Sequence, residues 1–202
     1  MARRPTINAR IQELLIADQA MLFGTTFADQ PIPYAPDNFV QDSVNLANEI
    51  LTGIYGTAPS NKVFWPGERL ADSGILDTIK TLGYTHTVVD QMRHFFKWFG
   101  RNQALGESGY RINRVNDINL IPIHDFASGF RYQNHDQGLN LPLRELLSRR
   151  ARSSTKDQML CILSDWEDFS TLENANAYDI NLRWITNRPW ITLVKIDDII
   201  AG

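Results

Sequence analysis

Residues 63–90, VFWPGERLADSGILDTIKTLGYTHTVVD, contain a strand, a helix and a second strand in succession. A proline–glycine pair stops the apolar run at 63–65, because proline cannot continue a central strand. Asp72 or Ser73 is placed to begin a helix, and Gly83 is placed to end it. A run of β-branched residues then predicts the next strand. This strand–helix–strand unit is the pattern from which parallel α/β folds are built.

The same alternation extends along the whole chain. Six apolar runs predict strands, at 21–24, 63–65, 85–89, 120–123, 159–163 and 190–194. Helical patterns cover 7–20, 37–54, 73–82 and 179–185, and another helix is expected near Pro142. Continuously apolar runs are typical of parallel strands covered by helices on both faces. The sequence therefore predicts one α/β domain over residues 1–202, as an open sheet or a barrel, with a long loop at 91–119.

Composition excludes several classes of function. The 202 residues are 43% hydrophobic and 21% charged with a net charge of -3, so neither nucleic acid nor an anionic membrane is an expected partner. No apolar run reaches the ~18 residues of a membrane span, and the N-terminus lacks a secretory pattern, so a cytoplasmic location is expected. Cys161, the single cysteine, lies in an apolar run and predicts a buried, unreactive thiol.

Acidic residues follow four of the predicted strands: Glu68, Asp90, Asp125 and Asp165. Parallel α/β folds place their sites at the carboxyl ends of strands, so these carboxylates are expected to share one edge. The alternative is that each one only caps the helix that follows it.

Two of these acids suit carbohydrate cleavage. Glycoside hydrolysis needs one carboxyl group to protonate the leaving oxygen and a second to attack the anomeric carbon or to activate water. Glu68 comes shortly after Trp65, and Asp165 directly precedes Trp166. Indole rings stack well on the apolar face of a sugar, although filling a core is their other common role.

Several segments together resemble glycoside hydrolase family 57. They are the stretch from Trp65 to Glu68, Gly83-Tyr84 with the strand that ends at Asp90, His124-Asp125 with the glycine-phenylalanine pair at 129–130, residues 164–169, and an early segment at 24–33. The resemblance implies an incomplete seven-stranded (β/α) barrel, of which about six strands are visible. It implies a retaining hydrolase or glucanotransferase acting on α-linked glucans, with Glu68 as nucleophile and Asp165 as acid/base. Substrate contacts are then expected from Trp65, Asp90, His124, Asp125, Trp166 and Glu167.

Two other functions stay open at this point. Trp166 stands where the family's acid/base motif has glycine, and no opening strand with a His-x-His pattern precedes residue 20, which favours a non-catalytic carbohydrate-binding domain of a larger protein. A metal-dependent polysaccharide deacetylase is the other alternative. The sequence shows no spaced histidine pair, no Cys/His cluster and no phosphate-binding loop, so no metal or other cofactor is expected. The aromatic run at 95–99 is interpreted as a hydrophobic plug or, alternatively, as a wall of a sugar subsite.

Overall fold

The computed structural model describes residues 5–124, 144, 147, 148, 151, 158–161, 163, 164 and 171–201. The chain divides into two compact units, Met1–Ile123 and His124–Gly202, and each unit is described by itself. The expectation of one barrel-like domain over residues 1–202 stays a prediction.

The first unit contains a five-stranded sheet. Its strands are β1 Phe23–Thr25, β2 Ser60–Trp65, β3 His86–Asp90, β4 Asn113–Val115 and β5 Ile118–Ile123, in the order β1-β2-β3-β5-β4. Every neighbouring pair is parallel except the antiparallel pair of β4 and β5. The predicted α/β class with a mostly parallel sheet is confirmed, and the sheet that the described residues form does not close, in line with an incomplete barrel. The carboxyl ends of β1, β2, β3 and β5 consequently lie along one edge.

Three helices follow the predicted pattern: α1 Pro5–Ile16, α2 Asp37–Tyr55 and α3 Ser73–Thr81. Asp72 caps α3, since its carboxylate accepts a hydrogen bond from the Ile75 amide at 2.9 Å. Gly83, at φ +91°, ends the same helix as predicted. The helix predicted over 7–20 ends earlier because Asp18 adopts φ 55°.

The core of the first unit lies where α2 and α3 pack on the sheet. It contains Phe64, Val89 and Leu120 from the strands and Val40, Val44, Ile75, Leu76 and Ile79 from the two helices. Tyr84 packs edge-on against Phe64 with ring centroids 4.9 Å apart. Burial of these apolar side chains fixes the strands that carry the candidate site at their ends.

The segment at 91–119, predicted as a loop, is largely ordered into short elements. A π-helical turn at Gln91–Phe95 leads into α4 Phe96–Phe99 and α5 Arg101–Ala104, and a 3-10 turn covers Glu107–Tyr110. The hairpin of β4 and β5 then turns through Asn116 and Asp117, at φ 47° and 65°. Asn and Asp tolerate this conformation, which two-residue hairpins favour. The loop prediction was wrong because each of these elements is too short to show a period.

The second unit contains α6 Leu172–Thr186 and α7 Ile196–Ala201. The strand predicted at 190–194 was wrong: in the described structure Trp190 lies in a turn and 191–194 have no regular secondary structure. Leu193 and Val194 are exposed, so the run is apolar without the burial that a central strand requires. At 159–163, the described residues are not part of a strand either, and Ile162 lies outside the described residues. No helix in the described ranges is long and apolar enough to cross a membrane.

Candidate active site

A tight turn after β2 carries the predicted nucleophile. Trp65, partly buried, is the last residue of β2, and a 3-10 turn at Gly67–Arg69 follows it. The Arg69 amide donates to the Pro66 carbonyl at 2.9 Å, which closes the turn. Glu68 lies at φ 53° and ψ 18°, and Arg69 also has φ 53°. Two consecutive non-glycine residues in the left-handed region are unfavourable and require support from their surroundings.

The turn after β1 supplies part of that support. It covers Phe27–Asp29, and the Asp29 carboxylate accepts a hydrogen bond from the Glu68 amide at 3.4 Å. A Cβ atom at Gly67 would lie 2.6 Å from the carbonyl oxygens of Asp29 and Gln30, so only glycine permits this approach. Among the described residues, seven other than glycine have a positive φ, and four of them lie in these two turns. Such backbone outliers concentrate at functional sites.

The Glu68 side chain is exposed to solvent. No described residue forms a hydrogen bond or an ion pair with its carboxylate, whereas its amide donates to the Asp29 carboxylate. An exposed carboxylate without a described partner is sterically open to substrate, as a nucleophile must be.

Asp90, at the end of β3, is buried and ion-paired. Its side chain is 1% exposed, and its Oδ1 lies 3.0 Å from Nη1 of Arg69. Asp90 was predicted to contact substrate, and that role stays a prediction; its ion pair connects the end of β3 to the turn that carries Glu68. Arg69 was missed in the sequence because nothing in its neighbourhood reveals a partner 21 residues away.

His94 packs against the same aspartate. The amide of Asp90 donates to Nδ1 of His94 at 3.3 Å, so this nitrogen accepts and the ring is neutral with its proton on Nε2. Burial is the main cause that lowers the pKa of His94; the Asp90 charge opposes the shift, and Arg93, Lys97 and Arg69 reinforce it.

His124 follows β5 directly and is buried. Within the second unit its amide donates to the Cys161 carbonyl at 3.3 Å, and the Cys161 amide donates to His124 Nδ1 at 3.2 Å. Burial raises the pKa of the Cys161 thiol to about 11, which keeps it protonated near neutrality. The predicted contact of His124 with substrate stays a prediction.

Four predicted site residues lie outside the described residues: Asp125, Asp165, Trp166 and Glu167. In the described part of the chain, no group of three or more His, Cys, Asp and Glu side chains is arranged to hold a metal ion. The aromatic run at 95–99 is mainly core: Phe95 is buried, its ring centroid lies 4.5 Å from that of Phe99, and Trp98 packs against the same cluster. Phe96 is exposed. These contacts favour the plug over the subsite wall.

Several solved structures have a similar fold. The crystal structure of 4-alpha-glucanotransferase from Thermococcus litoralis gives a TM-score of 0.75 at 15% identity, covering 99% of this chain and 31% of that one. The alpha-amylase AmyC from Thermotoga maritima gives 0.72 at 9% identity, covering 97% and 51%. A probable polysaccharide deacetylase from Pseudomonas aeruginosa PAO1 gives 0.62 at 12% identity, covering 98% and 64%.

These likenesses establish the fold, and the chain spans less than two thirds of each of the three proteins. Comparison with curated proteins gives no significant match. The family model described as glycosyl hydrolase family 57 matches residues 3–194, nearly the whole chain. The chain therefore belongs to glycosyl hydrolase family 57.

Proposed function

We propose that this chain carries the catalytic carboxylates of a retaining glycoside hydrolase or glucanotransferase that acts on α-linked glucans. Glu68 is the nucleophile and Asp165 the acid/base. The observation that carries the proposal is the exposed Glu68 carboxylate, which pairs with no residue in the described part of the chain and is held by a strained turn at the carboxyl edge of a parallel sheet. Family membership and the α-glucan enzymes among the similar structures support the choice of substrate.

The reaction proceeds in two steps. Glu68 attacks the anomeric carbon while Asp165 protonates the departing glycosidic oxygen, which leaves a glycosyl ester on Glu68. Asp165 then removes a proton from water, or from a sugar hydroxyl in transfer, and that oxygen displaces Glu68. This mechanism requires the two carboxyl groups to lie about 5–5.5 Å apart. Trp65, Asp90, His124, Asp125, Trp166 and Glu167 are the candidates for substrate contacts.

The first test replaces the nucleophile. We expect Glu68→Gln to abolish cleavage of maltooligosaccharides, because the amide cannot form the glycosyl ester, while circular dichroism and the urea unfolding midpoint stay those of the wild type. Glu49→Gln, at an exposed position on α2, is the matched control and should retain full activity. Full turnover in Glu68→Gln would remove this residue from the mechanism. If the wild-type protein binds maltooligosaccharides in calorimetry but does not cleave them, a non-catalytic carbohydrate-binding domain is favoured instead.

A second candidate is a metal-dependent deacetylase, which the fold similarity to a probable polysaccharide deacetylase favours. Acetate release from an acetylated oligosaccharide, stopped by a chelator and restored by zinc, would support this function. Maltooligosaccharide cleavage that a chelator leaves unchanged would exclude it.

A further inference from the structure

We infer that Arg69 is a positioning residue, which holds the nucleophile's turn in place through its ion pair with buried Asp90. The inference rests on the proposed role of Glu68. Arg69 follows Glu68 directly, so an ion pair that restrains Arg69 acts one peptide bond away from the residue that carries the attacking carboxylate.

The environment of the pair distinguishes it from surface ion pairs. Asp90 is 1% exposed and the Arg69 side chain 30%. Exposed pairs contribute little to stability, whereas removal of one partner from a buried pair is strongly destabilising. The ion pair therefore favours the conformation of the turn in which the Arg69 guanidinium contacts Asp90 at the end of β3.

The pair also offsets backbone strain. Glu68 and Arg69 both occupy the left-handed region, which is sterically unfavourable for a residue that has a Cβ. The contacts that oppose this cost are the Asp29 hydrogen bond to the Glu68 amide, the close approach at Gly67, and the Arg69–Asp90 pair. Of these, only the pair ties the turn to β3.

The backbone of Asp90 is held in place by its neighbours. Asp90 is the last residue of β3, whose register with β5 places it opposite Ile123, and its amide is bonded to His94. With the guanidinium of Arg69 directed to Asp90, the neighbouring Glu68 carboxylate is left without an ion pair among the described residues. The arrangement thus fixes the nucleophile without neutralising it.

The test compares two arginine–aspartate pairs of equal length. Arg69→Met should lower kcat for maltooligosaccharide cleavage by roughly 10–100-fold with KM little changed, because a displacement of about 1 Å can cost that much. Arg69→Lys should recover part of the loss, and added guanidinium should partly rescue Arg69→Met. The matched control is Arg114→Met, whose pair with Asp117 is also 3.0 Å long but is 66% and 61% exposed, and it should leave kcat unchanged.

A measurement independent of activity completes the test. A crystal structure of Arg69→Met should show Glu68 moved out of its left-handed conformation. If that variant does not fold, a crystal structure of Asp90→Asn, which removes the charge and keeps the shape, should show the same movement of Glu68. Wild-type kcat in a folded Arg69→Met protein, or an unchanged Glu68 backbone in its structure, would overturn the inference. If Glu68→Gln is inactive while Arg69→Met is fully active, only this inference fails; an active Glu68→Gln removes the proposed function itself.

Discussion

At the scale of single residues, Gly67 has the sharpest steric requirement at the site. Alanine there would bring a Cβ within 2.6 Å of two carbonyl oxygens of the Asp29–Gln30 backbone, which must then move. We expect Gly67→Ala to lower the free energy of unfolding by about 1–3 kcal/mol, as overpacking typically does, and to reduce activity by displacing Glu68. Urea unfolding and kinetics measure the two effects.

Gly53 provides the control for that substitution. It lies inside α2 with nothing within 4 Å of an added Cβ. Gly53→Ala should raise the free energy of unfolding by about 0.5–1 kcal/mol, since alanine loses less backbone entropy in a helix. If Gly67→Ala and Gly53→Ala changed the free energy of unfolding equally, the close contact between the turns Phe27–Asp29 and Gly67–Arg69 would be contradicted.

The sequence predicted the location of a residue correctly where that residue comes shortly after a predicted strand or ends it. Glu68 and Asp90 were placed at the carboxyl edge because they follow apolar runs, and the structure has them there. Gly67, Asp29 and Arg69 were missed as parts of the site, because their roles come from contacts between separate loops. Periodicity and spacing along the chain carry no information about such contacts.

At the scale of elements, β3 has a buried histidine at its start and a partly buried one just beyond its end. His86 forms contacts of 2.8 Å with Thr85 and 3.0 Å with Asn119, and burial is the main cause that lowers its pKa, as it is for His94. The folded state thus disfavours protonation of both rings relative to the unfolded chain, where their pKa is about 6.5.

The sign of the resulting pH dependence follows directly. Above the unfolded pKa both states are neutral and stability is complete; below it the unfolded chain binds more protons, so the free energy of unfolding falls. We expect urea unfolding to show this fall between pH 7 and pH 6, and a double variant His86→Gln with His94→Gln to show a flatter profile. Rising stability on acidification over that range would contradict a lowered pKa of the two histidines in the folded state.

Elements with a long period were predictable, and short ones were not. The helices α2 and α3 and the strands β2, β3 and β5 follow apolar patterns that burial then enforces. β4 has three residues and no period, so only the Asn116-Asp117 turn could have indicated its hairpin. The apolar run at 190–194 was predicted as a strand and is not one in the described structure. An apolar composition does not by itself show that a neighbouring strand is present for pairing.

At the scale of the whole molecule, the fold class and the family were both predictable from the order of weak motifs along the chain. Each motif is unspecific alone, but strand ends in a parallel sheet must share an edge, so their order constrains the site. The second predicted catalytic residue, Asp165, lies outside the described residues. A chemical experiment is therefore the test of whether Glu68 and Asp165 act together.

Trapping of the glycosyl–enzyme tests the central claim most directly. The protein would be incubated with an activated fluoro-glycosyl donor that slows release of the covalent intermediate, then digested and analysed by peptide mass spectrometry. The account predicts one added glycosyl group on the peptide that contains Glu68, and none in Glu68→Gln. Attachment to another residue, or cleavage of maltooligosaccharides with no labelled peptide, would contradict it.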